Sequence, residues 1–270
     1  MSSCLKDQLE SGRTALGLGL MYPNPNCIEA MASGWDWIWI DGQHGQMDYA
    51  TILHAVQMTR AAGVAAITRV PGHSFDIIGP VLDTGTDGLM VPMVNTADQA
   101  RAIVESVYFP PLGSRSYGGR RVIDIGGRDY YQDANARLTL VAQIETLEAV
   151  ENAADIAAVD GVDCLFFGPD DMKMRMDLPI NTPIDESPEL QTAMKQVAEA
   201  ARESGKVAGC VAGTSAAMTT AVSLGYRLVV GGADIGFLRV AAAAKAAELR
   251  AAIGQVEETP GTPDKDDSAY

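Results

Sequence analysis

Residues 35–69 read WDWIWIDGQHGQMDYATILHAVQMTRAAGVAAITR, and this stretch decides the fold. Trp37–Asp41 and Ala65–Arg69 are short apolar runs, the pattern of strands covered on both faces. Between them, Tyr49–Ala62 carries apolar residues at helical spacing. Gly63 sits just past that helix, where a left-handed residue ends it at least cost. Strand, helix, glycine and strand in succession make a βα unit.

The rhythm repeats in both directions. Further strands are predicted at Ala15–Met21, Gly88–Met93, Leu138–Ile144, Cys164–Phe167, Val207–Val211 and Arg227–Val230. Helical patterns fill the gaps at Cys27–Ser33, Ile77–Thr84, Ala97–Tyr108, Leu147–Ala158, Ser187–Ser204, Thr214–Leu224 and Ile235–Gln255. Gly34, Gly161, Gly205 and Gly225 repeat the role of Gly63. Eight such units in a chain near the usual size of about 250 residues predict a single-domain (β/α)8 TIM barrel over residues 1–255. A doubly wound open sheet is the alternative. Two segments break the rhythm. Residues 109–137 are rich in Gly and Arg and read as a functional loop or an interface arm. Residues 256–270 are acidic, contain Pro and carry few apolar side chains, so they are predicted to be a disordered tail.

Composition removes whole classes of function. The 270 residues hold 20 Lys+Arg against 35 Asp+Glu, a formal charge of −15. Such a surface repels phosphate backbones and anionic headgroups, which sets nucleic acids and membranes aside as partners. No apolar run approaches the roughly 18 residues of a membrane span. The first ten residues turn charged too early for a secretory signal. Cys4, Cys27, Cys164 and Cys210 form no Cys-x-x-Cys pair and read as reduced thiols in a cytoplasmic protein.

In a barrel of this kind, chemistry collects where the strands end. Strand 2 ends in Asp41-Gly-Gln43-His44, strand 3 in Arg69, and strand 4 leads to Asn95. Strand 5 ends in Gln143-Ile144-Glu145, strand 6 in Gly168-Pro169-Asp170-Asp171, and strand 8 in Gly231-Gly232-Ala233-Asp234. No lysine lies inside a strand, and only Lys173 follows a strand end closely, which argues against a Schiff base. Glu145 and Asp171 would be hard oxygen ligands suited to Mg²⁺ or Mn²⁺. Arg69 is a natural fork for a substrate carboxylate. Asp41 and His44 suit a dyad in which the carboxylate orients the imidazole as a general base. On this reading, Arg69→Ala and His44→Ala fold normally and lose most turnover.

Each residue also has a structural reading. Asp171 or Glu145 could cap a helix, Arg69 could be an internal ion pair, and His44 could hydrogen-bond a loop. His54 and His73 read as structural, and Trp35, Trp37 and Trp39 as packing. The Gly231-Gly232 pair is a weak phosphate-cradle signal. Convergence on one rim is what favours the functional readings.

Four segments carry a family resemblance. Trp35–His44, Leu89–Asn95, Gln143–Thr146 and Phe167–Met172 are similar, in order, to motifs of the HpcH/HpaI aldolase family. The likeness runs from about Thr14 to about Leu249. It implies a class II, metal-dependent aldolase that cleaves a 4-hydroxy-2-keto acid to pyruvate and an aldehyde. By resemblance, Glu145 and Asp171 hold the divalent ion (Mg²⁺, Mn²⁺ or Co²⁺), and Arg69 steadies the pyruvate enolate. Asp41 and His44 form the acid–base dyad, and Asp83 reaches toward a neighbouring subunit. Gln143, Gly168, Pro169 and Asp170 form the pyruvate-binding surface. The resemblance also implies a homo-oligomer, a hexamer whose last helix swaps between subunits.

Two positions depart from the family pattern. Gln43 stands where the family usually has Glu before the base, which removes a negative charge beside His44 and favours the imidazolium less. Asp170 stands where a small residue is common, and an extra carboxylate there could alter aldehyde choice. The alternatives that remain are decarboxylation of oxaloacetate at the same site and a keto-acid-binding pseudo-enzyme. A CoA-thioester lyase is disfavoured, because no basic patch is available for nucleotide phosphates.

Overall fold

A computed structural model describes residues 5–252. The tail expected at 256–270 and Cys4 lie outside the described residues. Eight parallel strands close into a barrel in sequence order: β1 Ala15–Leu20, β2 Trp37–Asp41, β3 Ala65–Arg69, β4 Gly88–Val91, β5 Thr139–Ile144, β6 Cys164–Phe167, β7 Val207–Val211 and β8 Leu228–Ala233. The seam is made by β1 against β8, with Ala15 opposite Leu228 and Gly17 opposite Val230. The open sheet is thereby excluded.

Side chains alternate along each strand, so every second residue shares a face. Trp37, Trp39, Ile67, Met90, Val141, Cys164, Phe166, Leu228 and Val230 form one buried cluster inside the barrel. Their strand neighbours Ile38, Ile40 and Ala66 pack instead against Ile52, Ala55 and Val56 of the helix Tyr49–Ala62. The inward rows continue upward into polar residues. Asp41 follows Trp39, Arg69 follows Ile67, and Gln143 and Glu145 follow Val141. The period of two thus delivers four polar side chains above an apolar plug.

Trp37 makes that plug possible. Its ring is fully buried, and its Nε1 donates to the Ala15 carbonyl at 3.3 Å. A Cβ on Gly17 would lie 2.3 Å from the Trp37 ring, so only glycine lets the indole cross under β1. At the lower end an unpredicted helix, Leu5–Glu10, adds Leu5 and Leu9 to the interior cluster.

Elsewhere the boundaries shift for local reasons. β4 stops at Val91 rather than Met93, because Pro92 offers no N–H to the ladder and Met93 is left-handed at φ 56°. The helix expected over Leu147–Ala158 breaks into Leu147–Glu151 and Ala153–Ala157 at Asn152, whose side chain donates to the Asn95 carbonyl. β8 runs three residues past Val230, to Ala233. Asp234 then accepts from the backbone N–H groups of Met21, Tyr22 and Ile235 at 2.8–3.0 Å, joining the end of β1 to the start of the last helix.

The segment 109–137, expected to be a loop, contains two short helices, Arg120–Gly126 and Tyr131–Arg137. An aromatic cluster orders it: Tyr117 stacks on Tyr130 at 5.7 Å, and Phe109 meets Tyr130 edge-on. The last helix, Asp234–Ala252, leaves the barrel after its first turn, where Phe237 meets Trp35. Every residue from Phe237 to Ala251 is exposed, including Leu238 and Leu249. Among the described residues no helix is long and apolar enough to cross a membrane.

Candidate active site

The register places Asp41 directly beside Arg69 on adjacent strands. Asp41 Oδ1 accepts from Arg69 Nε at 2.8 Å and Oδ2 from Nη2 at 2.5 Å, a two-pronged pair that is almost wholly buried. Burial alone would raise the Asp41 carboxyl. The Arg69 hydrogen bonds and charge, helped by the backbone N–H groups of Gln43 and His44, outweigh it and hold the carboxyl below its ordinary value. The guanidinium lies 4.4 Å from the centroid of the Trp39 ring, which fixes its plane from the other side. Among the described residues, Nη1 is the one Arg69 nitrogen without a protein partner.

Glu145 continues the inward row of β5 and is 3% exposed. Its Oε2 accepts from the backbone N–H of the left-handed Met93 at 2.9 Å. Burial pushes its pKa up, and the nearby Asp171 charge adds to this. The Met93 N–H and the charges of Arg69 and Arg175 act against the rise. Glu145 also fills the space above Gly168, where a Cβ would come within 2.6 Å of its Cγ. Asp171 belongs to the first turn of the helix Pro169–Arg175 and lies 3.5 Å from Arg175 Nη1. Gln143 stands one inward step below Glu145, with a buried Oε1 that has no hydrogen-bond partner.

The structure therefore brings Asp41, Arg69, Gln143, Glu145, Gly168 and Asp171 to one rim. The Asp41–His44 relation differs from the expected dyad. Asp41 spends its carboxylate on Arg69 and reaches His44 only through that residue's backbone N–H, at 3.2 Å. The His44 ring is exposed and makes no hydrogen bond among the described residues. Gln43 leaves a buried Oε1 unpartnered. Pro169 starts the helix after Gly168, where proline's missing N–H costs nothing. Asp170 pairs with Lys173 Nζ at 3.1 Å. Lys173 is bound there and by the Ile180 carbonyl at 2.8 Å, so it is no candidate for imine chemistry. Asp83 stands at the end of the helix Phe75–Asp83, outside this group, paired with Arg115 at 3.0 Å. Cys164 and Cys210 are buried, with thiol pKa values raised by burial, and are no nucleophiles.

Three participants escaped the sequence reading. Met93 carried no signal, because its role lies in a backbone conformation. Trp39 was read as packing, which it is, but its partner is the key cation. Arg175 lies on a helix the apolar pattern did not reveal. Two cavities of about 870 and 560 Å³ open elsewhere, on the helical flank and beneath the barrel, and touch none of these groups. We place the chemistry at the rim, because that is where buried charges meet.

The donor set fits a hard divalent cation. Glu145 and Asp171 interact through their charges, and Glu145 Oε1 has no donor among the described residues. Glu145 and Asp171 are the residues that would hold it; among the described residues no group of three or more His, Cys, Asp or Glu suited to a metal forms.

Carboxylates and an arginine gather at the carboxyl-end rim of a parallel barrel, the face on which barrel enzymes build their sites. Residues 17–241 match the profile of the HpcH/HpaI aldolase/citrate lyase family. The chain is 33% identical over 257 residues to a 4-hydroxy-2-oxo-heptane-1,7-dioate aldolase of Salmonella dublin, covering 93% of this chain and 96% of that one. It is 46% identical over 172 residues to a 4-hydroxy-2-oxovalerate aldolase of Novosphingobium aromaticivorans, covering 62% and 65%. A solved family member from Burkholderia cenocepacia J2315 superposes with a TM-score of 0.84 at 33% identity, covering 91% and 98%. The chain belongs to the HpcH/HpaI aldolase/citrate lyase family. It is an enzyme of the aldehyde-lyase type, an aldolase.

Proposed function

We propose that this enzyme reversibly cleaves a 4-hydroxy-2-keto acid to pyruvate and an aldehyde, with a divalent cation (Mg²⁺, Mn²⁺ or Co²⁺) held by Glu145 and Asp171. The observation that carries the reading is Arg69. It is locked by Asp41 and Trp39, keeps Nη1 unspent, and acts electrostatically on Glu145. When bound, such a cation withdraws electron density from a keto acid and favours enolate formation.

The residues do the rest. Arg69 Nη1 donates to a substrate oxygen on which negative charge grows as the C3–C4 bond breaks, from a position that needs no rearrangement. Gln143 and the backbone at Gly168, Pro169 and Asp170 bind the three-carbon end. His44 takes the proton from the C4 hydroxyl, with its main chain pinned by Asp41. Gln43 places an amide beside the imidazole where the family usually has a carboxylate. Nothing in the site favours oxaloacetate decarboxylation over cleavage. The chain acts in the cytoplasm as a hexamer whose last helix is exchanged, with Asp83 facing a neighbouring subunit; the exposed apolar side chains of that helix support the exchange alone.

The test is exchange of pyruvate methyl protons with deuterated water, followed by NMR. Exchange is expected with Mn²⁺ or Mg²⁺, and it should disappear with EDTA and in Glu145→Gln. A wild-type enzyme that shows no exchange at saturating Mn²⁺ sinks the reading.

A further inference from the structure

We infer that Arg175 forms an anion subsite at the mouth of the barrel, where it takes the carboxylate of an acidic aldehyde, the half of the substrate opposite pyruvate. This rests on the reading above, since it extends the same site outward.

Arg175 ends the helix that follows β6. Its side chain is 33% exposed, with Nη1 3.5 Å from Asp171 Oδ1 and Nη2 3.7 Å from Met93 Sδ. No other partner holds it among the described residues. A contact of 3.5 Å is a loose ion pair, and a thioether is a weak acceptor, so most of its five donors are unspent. Both contacts place it beside Glu145, between the ends of β4 and β6, and its charge reaches that carboxylate.

Its neighbours are differently engaged. Arg69 is buried with two nitrogens on Asp41, and Lys173 is buried against Asp170 and a carbonyl. Arg175 is the one of the three that stays open to solvent. In a chain of net charge −15, a guanidinium left this free at a binding mouth is a recognition group. Its planar fork matches a carboxylate in two-pronged fashion. Because it stands at the exposed edge rather than the floor, it meets the remote end of the substrate.

The experiment runs the reaction in the addition direction, with pyruvate and Mn²⁺. Glyoxylate is compared with glycolaldehyde, and succinate semialdehyde with butanal. The acidic member of at least one pair should have a kcat/KM about tenfold higher or more, as a charge-assisted hydrogen bond provides. Arg175→Met should erase that preference chiefly through KM, and Arg175→Lys, which keeps the charge without the fork, should restore part of it. Neutral acceptors favoured in both pairs, or a preference that survives in Arg175→Met, would overturn the subsite. Deuterium exchange into pyruvate alone separates the two failures: exchange without acid preference condemns only the subsite, and no exchange condemns the site reading beneath it.

Discussion

Arg69 is asked to do two things that pull against one another. It must be rigid enough to meet growing charge without rearranging, and it must keep one nitrogen for the ligand. The Asp41 carboxylate and the Trp39 face satisfy the first demand, and the geometry of the fork satisfies the second. Truncation should therefore have two costs, against the expectation from sequence that Arg69→Ala folds normally. Loss of the fixed donor should lower the rate about 10²–10³-fold. Loss of the counter-charge leaves Asp41 buried and alone, which should destabilise the fold by about 3–5 kcal/mol. Urea titration alongside the exchange assay checks both, and an unchanged unfolding midpoint would remove the structural half. His44 carries no such debt, since its exposed ring holds nothing together, so His44→Ala should keep wild-type stability. The pair also sets an acid limit. Asp41 titrates lower in the folded state than in the unfolded chain, so its contribution is present above about pH 4 and is lost as pH falls through its depressed value. Urea midpoints should fall on acidification below about pH 4, and Asp41→Asn should flatten that fall.

At the scale of elements, strands were legible and contacts between them were not. Short, mostly apolar runs marked all eight strands, and alternation put Asp41, Arg69, Gln143 and Glu145 on inward rows. Sequence spacing had no way to state which partner Asp41 would choose. The loop after β2 offered His44 three residues on, whereas the register offered Arg69 directly across. The register won, because a two-pronged buried ion pair satisfies both oxygens. The strand read through Pro92 to Met93 stops short of that proline, and nothing announced that Met93 would turn left-handed and give its N–H to Glu145. The connection after β6 depends on the small size of Gly168. An added methyl there must displace Glu145, so Gly168→Ala should weaken Mn²⁺ binding, read by electron paramagnetic resonance, about tenfold or more. Its overpacking cost should be only about 1–3 kcal/mol. Normal Mn²⁺ affinity in that variant would show that Glu145 is not held where we place it.

At the scale of the molecule, the last helix is the unfinished part. Phe237, Leu238, Val240 and Leu249 are 41–56% exposed on a helix whose residues from Phe237 to Ala251 all face solvent. If the chain exchanges this helix as we propose, light scattering should find a mass near six times 28.5 kDa. Replacing Leu238 and Leu249 together by Glu should break the assembly down. A monodisperse monomer for the unaltered chain would end that proposal.

Asp234 ties these levels together mechanically. One carboxylate holds the main chain just beyond the first strand and also begins the final helix, astride the seam where the cylinder is zipped shut. Tension on the projecting arm is thus delivered to the one joint that no hairpin or crossover secures. If the chain assembles as proposed, docking that arm on another body would clamp the seam, and a subunit parted from such neighbours would be expected to open there first.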